Sequence, residues 1–112
     1  MRVVTFDPNQ YNLLIEGEDE KIYFLFQQSD NRWFLLDDRC QHRRGPLHLG
    51  SWNNADQCLV CPWHGTKYSE KALQKRSIPI IYRQDVVIAI VDISPHTPIH
   101  LSKRIILANQ QD

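Results

Sequence analysis

The chain has 112 residues, enough for one domain with a real core and too few for two. Its 13 Lys and Arg balance 13 Asp and Glu, so no global field directs it to nucleic acid or an anionic membrane. No apolar run approaches the roughly 20 residues of a membrane span, the opening segment breaks at Asp7-Pro8 too early for a signal peptide, and an odd cysteine count argues against a disulfide framework and for a reducing, cytoplasmic setting.

Residues 2–36 are written as short strands. Residues 2–6 and 12–16 are β-branched or aliphatic runs separated by Asp7-Pro8-Asn9. A polar turn over 16–20 leads to 21–27, where Ile22, Phe24 and Phe26 alternate with Tyr23 and Leu25. Ser29-Asp30-Asn31 then turns into 32–36. Residues 57–61 predict a strand that delivers Cys61 at its end, and 67–69 continue as a strand out of the loop that follows. The last clear pair is 78–82 and 85–91, joined at Arg83-Gln84. No stretch before residue 67 carries helical periodicity over three turns. Short strands at this spacing predict an all-β fold, a small antiparallel sandwich or partly open barrel. Residues 92–98 hold two prolines and cannot be a central strand. Residues 101–108 are too apolar for a free tail and are expected to dock as a strand or a short helix, with 109–112 frayed.

The chemistry is concentrated between Cys40 and His64. Cys40-Gln41-His42 is followed, after eighteen residues, by Cys61-Pro62-Trp63-His64. Two thiols and two imidazoles in matched pairs, each flanked by Gly and Pro, describe two loops gripping one metal centre. Soft thiolates suit iron–sulfur clusters, and neutral imidazole can replace thiolate on one iron. Gly45-Pro46 and Gly65 let the backbone bend closely around such a group. A structural zinc site with the same four ligands is the competing reading. The flanking Gly45-Pro46-Leu47 and Pro62-Trp63-His64-Gly65 have no reason to accompany it.

Arg39-Cys40-Gln41-His42-Arg43-Arg44-Gly45-Pro46-Leu47 and Cys61-Pro62-Trp63-His64-Gly65-Thr66-Lys67-Tyr68 resemble the two binding loops of the Rieske [2Fe–2S] family. The resemblance reaches upstream through residues 34–38 and downstream through Lys71-Ala72-Leu73 and 85–91, which match the family's closing hairpin. It implies one [2Fe–2S] cluster per chain, with Cys40 and Cys61 on the inner iron and His42 and His64 on the outer one. It also implies that Leu47 lies over the cluster as an apolar shield. Respiratory members join one extra cysteine in each loop as a disulfide; Gly45 and Trp63 stand at those positions here. Oxygenase α-subunits need a mononuclear iron domain with far more chain. What remains resembles the free-standing Rieske-type ferredoxin, a monomer passing one electron from a flavin-dependent reductase to a terminal oxygenase or reductase. The alternative is a small Rieske subunit of a multi-subunit oxidoreductase such as nitrite reductase. Neither is an enzyme by itself.

Thr66 and Tyr68 stand where high-potential members place hydroxyls that donate to sulfur, which raises the potential within a range of roughly −150 to +300 mV. A surface Thr with its methyl packed is the plainer reading of Thr66. Cys58, three residues before Cys61 on the same strand, faces away from it by alternation and reads as a small buried hydrophobe. His48 lies outside both hooks and reads as a surface-loop residue. Arg39, Arg43 and Arg44 form a basic rim, either a solvated loop or a docking face for an acidic redox partner. Trp33 and Trp52 are expected to anchor core and loop, and Trp63 to cover the cluster or face a partner. The expected organisation is one domain over 1–112, with a cluster-binding subdomain over 37–70 and a tail over 92–112.

Overall fold

The computed structural model describes residues 1–17, 21–29, 32–40, 45–63 and 65–109. Three antiparallel sheets carry most of it. The central sheet has five strands in the order β11-β2-β3-β4-β8: Ile99–Ser102, Leu13–Glu16, Lys21–Ser29, Arg32–Asp37 and Ser77–Ile78. On one side lies the sheet β1-β10-β9, Arg2–Phe6, Val86–Val91 and Ile80–Arg83. On the other lies a small sheet of three-residue strands, β5 (Ser51–Asn53), β6 (Cys58–Val60) and β7 (Lys67–Ser69). No closed barrel forms among the described residues, and the all-β expectation holds.

The period-two pattern of β3 and β4 explains the layering. Phe24 and Phe26, with Phe34 and Leu36 opposite them, point to the side that holds Leu47, Leu59, Cys40 and Cys61. Tyr23, Leu25 and Leu35 point the other way, against Val4, Phe6, Val87, Ala89 and Val91. Both faces of the central sheet are thus dry, and each fully buried Phe or Leu contributes roughly 1.5–3 kcal/mol. Trp52 packs on the Cys-bearing side, its ring 5.7 Å from Phe26. Trp33 is half-buried on the opposite side, stacked on Tyr82 at 4.8 Å.

The structure departs from the sequence reading at five places in the fold. The strand expected over 78–82 is split at Pro79, Ile78 pairing with Leu35 in the central sheet and Ile80–Arg83 with β10. Residues 70–76 form a helix, α1 (Glu70–Arg76), where the closing hairpin was expected to begin. Ser69 caps it, its hydroxyl accepting from Ala72 N at 3.2 Å, and Leu73 is its buried contact. The β9–β10 turn falls on Gln84 and Asp85, both with positive φ, so Asp85 leaves the strand assigned to it. A further strand, β5, precedes the second loop. Finally, Asn109 is not frayed.

The tail docks both as a strand and as a short helical turn. β11 pairs with β2, and a 3₁₀ turn over Leu107–Asn109 follows. Two asparagine carboxamides pin it by behaving like extra peptide units. Asn12 donates to the Arg104 carbonyl at 2.7 Å and accepts from Arg104 N at 2.9 Å. Asn109 donates to the Leu25 carbonyl at 3.0 Å and accepts from Gln27 N at 2.8 Å, where β3 has run past the start of β2. Between these pins Ile106 (5% exposed) and Ala108 (1%) enter the apolar cluster that contains both Cys40 and Cys61.

Ile106→Ala should therefore cost about 2–5 kcal/mol of stability, and Asn109→Ala about 1–3 kcal/mol through the stranded backbone groups. Ile105→Ala, at a position 69% exposed, should stay within about 0.5 kcal/mol of the wild type. Urea unfolding of the three variants checks the ranking.

Candidate metal centre

β4 runs into Asp38, Arg39 and Cys40, and the first loop closes on itself immediately. Cys40 N donates to the Gly45 carbonyl at 2.9 Å, and Arg39 forms a lone antiparallel bridge with Pro46. Leu47 N then returns to the Asp38 carbonyl at 2.8 Å, and Leu47–Leu49 makes a 3₁₀ turn. The second loop hangs between β6 and β7. Cys61 N donates to the Thr66 carbonyl at 2.9 Å, and its own carbonyl accepts from Gly65 N at 3.1 Å. Gly65 sits at φ +69°, a conformation that a side chain resists. His42 and His64, with Gln41, Arg43 and Arg44, fall outside the described residues.

The two loops touch. A β-carbon added to Gly45 would lie 2.8 Å from Cys61 Sγ and 3.3 Å from Trp63 Cβ and Cδ2. Gly45 thus takes the Cys40 amide on its carbonyl and presents its bare α-carbon to the Cys61 sulfur. Both thiols are 1% exposed, neither is in a disulfide, and both line one apolar wall with Leu36, Leu47, Leu59 and Tyr68. The Tyr68 hydroxyl lies 3.1 Å from Cys40 Sγ, placed to donate when that sulfur is a thiolate. Leu47 is fully buried in this wall, whereas Trp63 is 64% exposed at the tip of the second loop. Thr66 contributes its carbonyl to the Cys61 amide. Cys58 is buried on β6 but outside the wall that holds the other two sulfurs, in line with strand alternation.

His48 is not a surface-loop residue. Its backbone N donates to Asp38 Oδ1 at 2.7 Å, and its ring Nδ1 lies 2.8 and 2.9 Å from the two carboxylate oxygens. The pair is nearly enclosed, at 12% and 9% side-chain exposure. Burial pushes the Asp38 carboxyl above the ordinary carboxylate range, while the bonds from His48 pull it back. The clamp ties the strand before Cys40 to the turn after Leu47, so it fixes the width of the first loop. No periodic pattern links positions 38 and 48, which is why the sequence did not reveal it.

The donor chemistry fits an iron–sulfur group. Two buried, reduced cysteines in one apolar cluster, with a hydroxyl against one of the sulfurs, supply the soft donors that such a group takes. The described residues contain no cluster of three or more His, Cys, Asp or Glu, the hook histidines being outside them.

The Rieske [2Fe-2S] domain family matches this sequence over residues 5–81. The chain belongs to that family. Its cofactor is accordingly a Rieske-type [2Fe–2S] cluster, and its role lies in iron–sulfur electron transfer. Among curated relatives, a human Rieske domain-containing protein is 37% identical over 51 residues, covering 44% of this chain and 31% of the relative. The chloroplastic chlorophyllide a oxygenase of Oryza sativa subsp. japonica is 40% identical over 45% of this chain and 9% of its own length. The iron-sulfur subunit of a toluene-4-sulfonate monooxygenase system from Comamonas testosteroni is 36% identical over 40% and 12%. The similarity thus spans less than a third of each of these relatives. No solved structure matches the chain. None of the described helices is long and apolar enough to cross a membrane.

Gly45→Ala should drive a methyl group into Cys61 Sγ and the Trp63 side chain. We expect the variant to fold with its central sheet intact, by far-ultraviolet circular dichroism, yet to retain well under half of the wild-type iron and sulfide.

Proposed function

We propose that this chain is a one-electron carrier, with Cys40 and Cys61 on one iron and His42 and His64 on the other, working between a flavin-dependent reductase and a terminal oxygenase. The observation that carries this reading is the meeting of the loops at Gly45, which brings the Cys61 sulfur against the loop begun by Cys40. When bound, the cluster supplies a one-electron couple without proton or atom transfer to a substrate. The chain's own residues do the rest. Leu47, Leu59 and Leu36 keep water from the thiolates, the Asp38–His48 clamp holds the first loop, and Tyr68 places a hydroxyl on Cys40. An oxygenase as acceptor is supported by two relatives, a chlorophyllide oxygenase and a sulfonate monooxygenase subunit. Exposed Trp63 at the tip of the second loop offers an apolar contact for such a partner.

Ile105 (69% exposed) and Leu107 (41%) favour a second reading, a small subunit held in a larger oxidoreductase. Both are apolar side chains exposed on the docked tail. Size-exclusion chromatography separates the two: a monomer that cycles with a reductase supports the carrier.

The purified chain should be brown and give a Rieske-type electron paramagnetic resonance signal on reduction. A colourless protein holding one zinc per chain would sink the proposal. Tyr68→Phe and Thr66→Val should each lower the reduction potential in film voltammetry. For a one-electron couple, losing about 1.4 kcal/mol of preference for the reduced state lowers the potential by about 59 mV, and a hydrogen bond to a charged group is of that order.

A further inference from the structure

Arg76 ends α1 and reaches back over the first loop. Its Nη2 donates to the Arg39 carbonyl at 2.6 Å, one residue before Cys40. Its guanidinium carbon lies 4.9 Å from the centroid of the Tyr68 ring. The Tyr68 hydroxyl in turn lies 3.1 Å from Cys40 Sγ. A cation, an aromatic face and a hydroxyl on a sulfur therefore stand in series.

Each contact in the series has a physical consequence for the next. A guanidinium over a phenol ring is held by the ring's quadrupole, more strongly where the ring is desolvated, and Tyr68 is only 4% exposed. The cation draws electron density toward itself and away from the phenol oxygen. The O–H becomes more polarised and a stronger donor to a sulfur that gains negative charge. By position alone, Arg76 is only a basic residue in the last turn of α1, where the macrodipole welcomes it. The contact with Tyr68 adds a role that position does not require.

We propose that Arg76 tunes the reduction potential of the centre through Tyr68. The proposal rests on the cluster reading of Cys40 given above. No bond forms and no proton moves: an electron delivered by the reductase leaves extra negative charge partly on Cys40 Sγ, and the polarised Tyr68 hydroxyl stabilises that charge. Arg76 is a positioning residue, since it acts through Tyr68. Its bond to the Arg39 carbonyl is a separate function that braces the backbone entering the loop.

The test is a double-mutant cycle on the holoprotein, with Arg76→Gln, Tyr68→Phe and both together. Film voltammetry reads the potential, and electron paramagnetic resonance confirms that each variant holds its cluster. Arg76→Gln should lower the potential, and the shift should shrink to less than half in the Tyr68→Phe background. Arg76→Lys keeps a charge and a donor for the Arg39 carbonyl but loses the planar stack; it should lower the potential nearly as far as Arg76→Gln. Should Arg76→Gln lose its cluster, the same cycle is run with Arg76→Lys. Equal shifts in both backgrounds would mean that the charge acts directly through space, and they overturn the proposal. An Arg76→Lys protein at the wild-type potential overturns it as well. A wild-type chain without the Rieske-type signal overturns the cluster reading, and the tuning role falls with it.

Discussion

Two sulfurs buried against each other's loops are the constraint around which the rest of this molecule is arranged. Thiolates are costly in an apolar wall unless something positive and polar meets them. The chain meets that cost locally. Gly45 is stripped of a side chain so that one loop rests on the sulfur of the other. Tyr68 supplies a hydroxyl to Cys40, and the backbones of both loops are closed by their own amides.

The sheets make that arrangement rigid. Alternation along β3 and β4 sends one set of aromatic and aliphatic residues to the sulfur side and the other to the β1-β10-β9 sheet. The loops are thus mounted on a slab packed on both faces, which limits how far they can shift. Clamps outside the hooks then fix the loops to the slab: Asp38 with His48 on one flank, Arg76 with the Arg39 carbonyl on the other. Electron transfer of this kind needs little movement on a change of charge, and such a mounting provides it.

The sequence exposed the site and the fold class because both are written in local signals. Cys-x-His and Cys-x-x-His are short, specific and flanked by residues that make sense only together. Period-two runs announce strands wherever one face is dry. The misses share a different cause. A seven-residue helix is too short to establish a 3.6-residue period. Gln84-Asp85 turns with two left-handed residues, yet neither is the glycine that marks such turns. His48 and Asn109 look like loop and terminus because their partners are distant in the chain or are backbone groups. The positions of His42 and His64 are legible in the sequence alone.

Ile106 and Ala108 have a consequence for how the core is completed. They lie beyond the stretch shared with the Rieske family, residues 5–81, but they complete the wall beside both sulfurs. In synthesis from the N-terminus, Cys40 and Cys61 emerge well before these two residues do. Without them the apolar cluster that holds both sulfurs lacks two of its buried members. The segment that completes the sulfur side of this core is therefore made last among the described residues, and the family stretch alone does not finish that side.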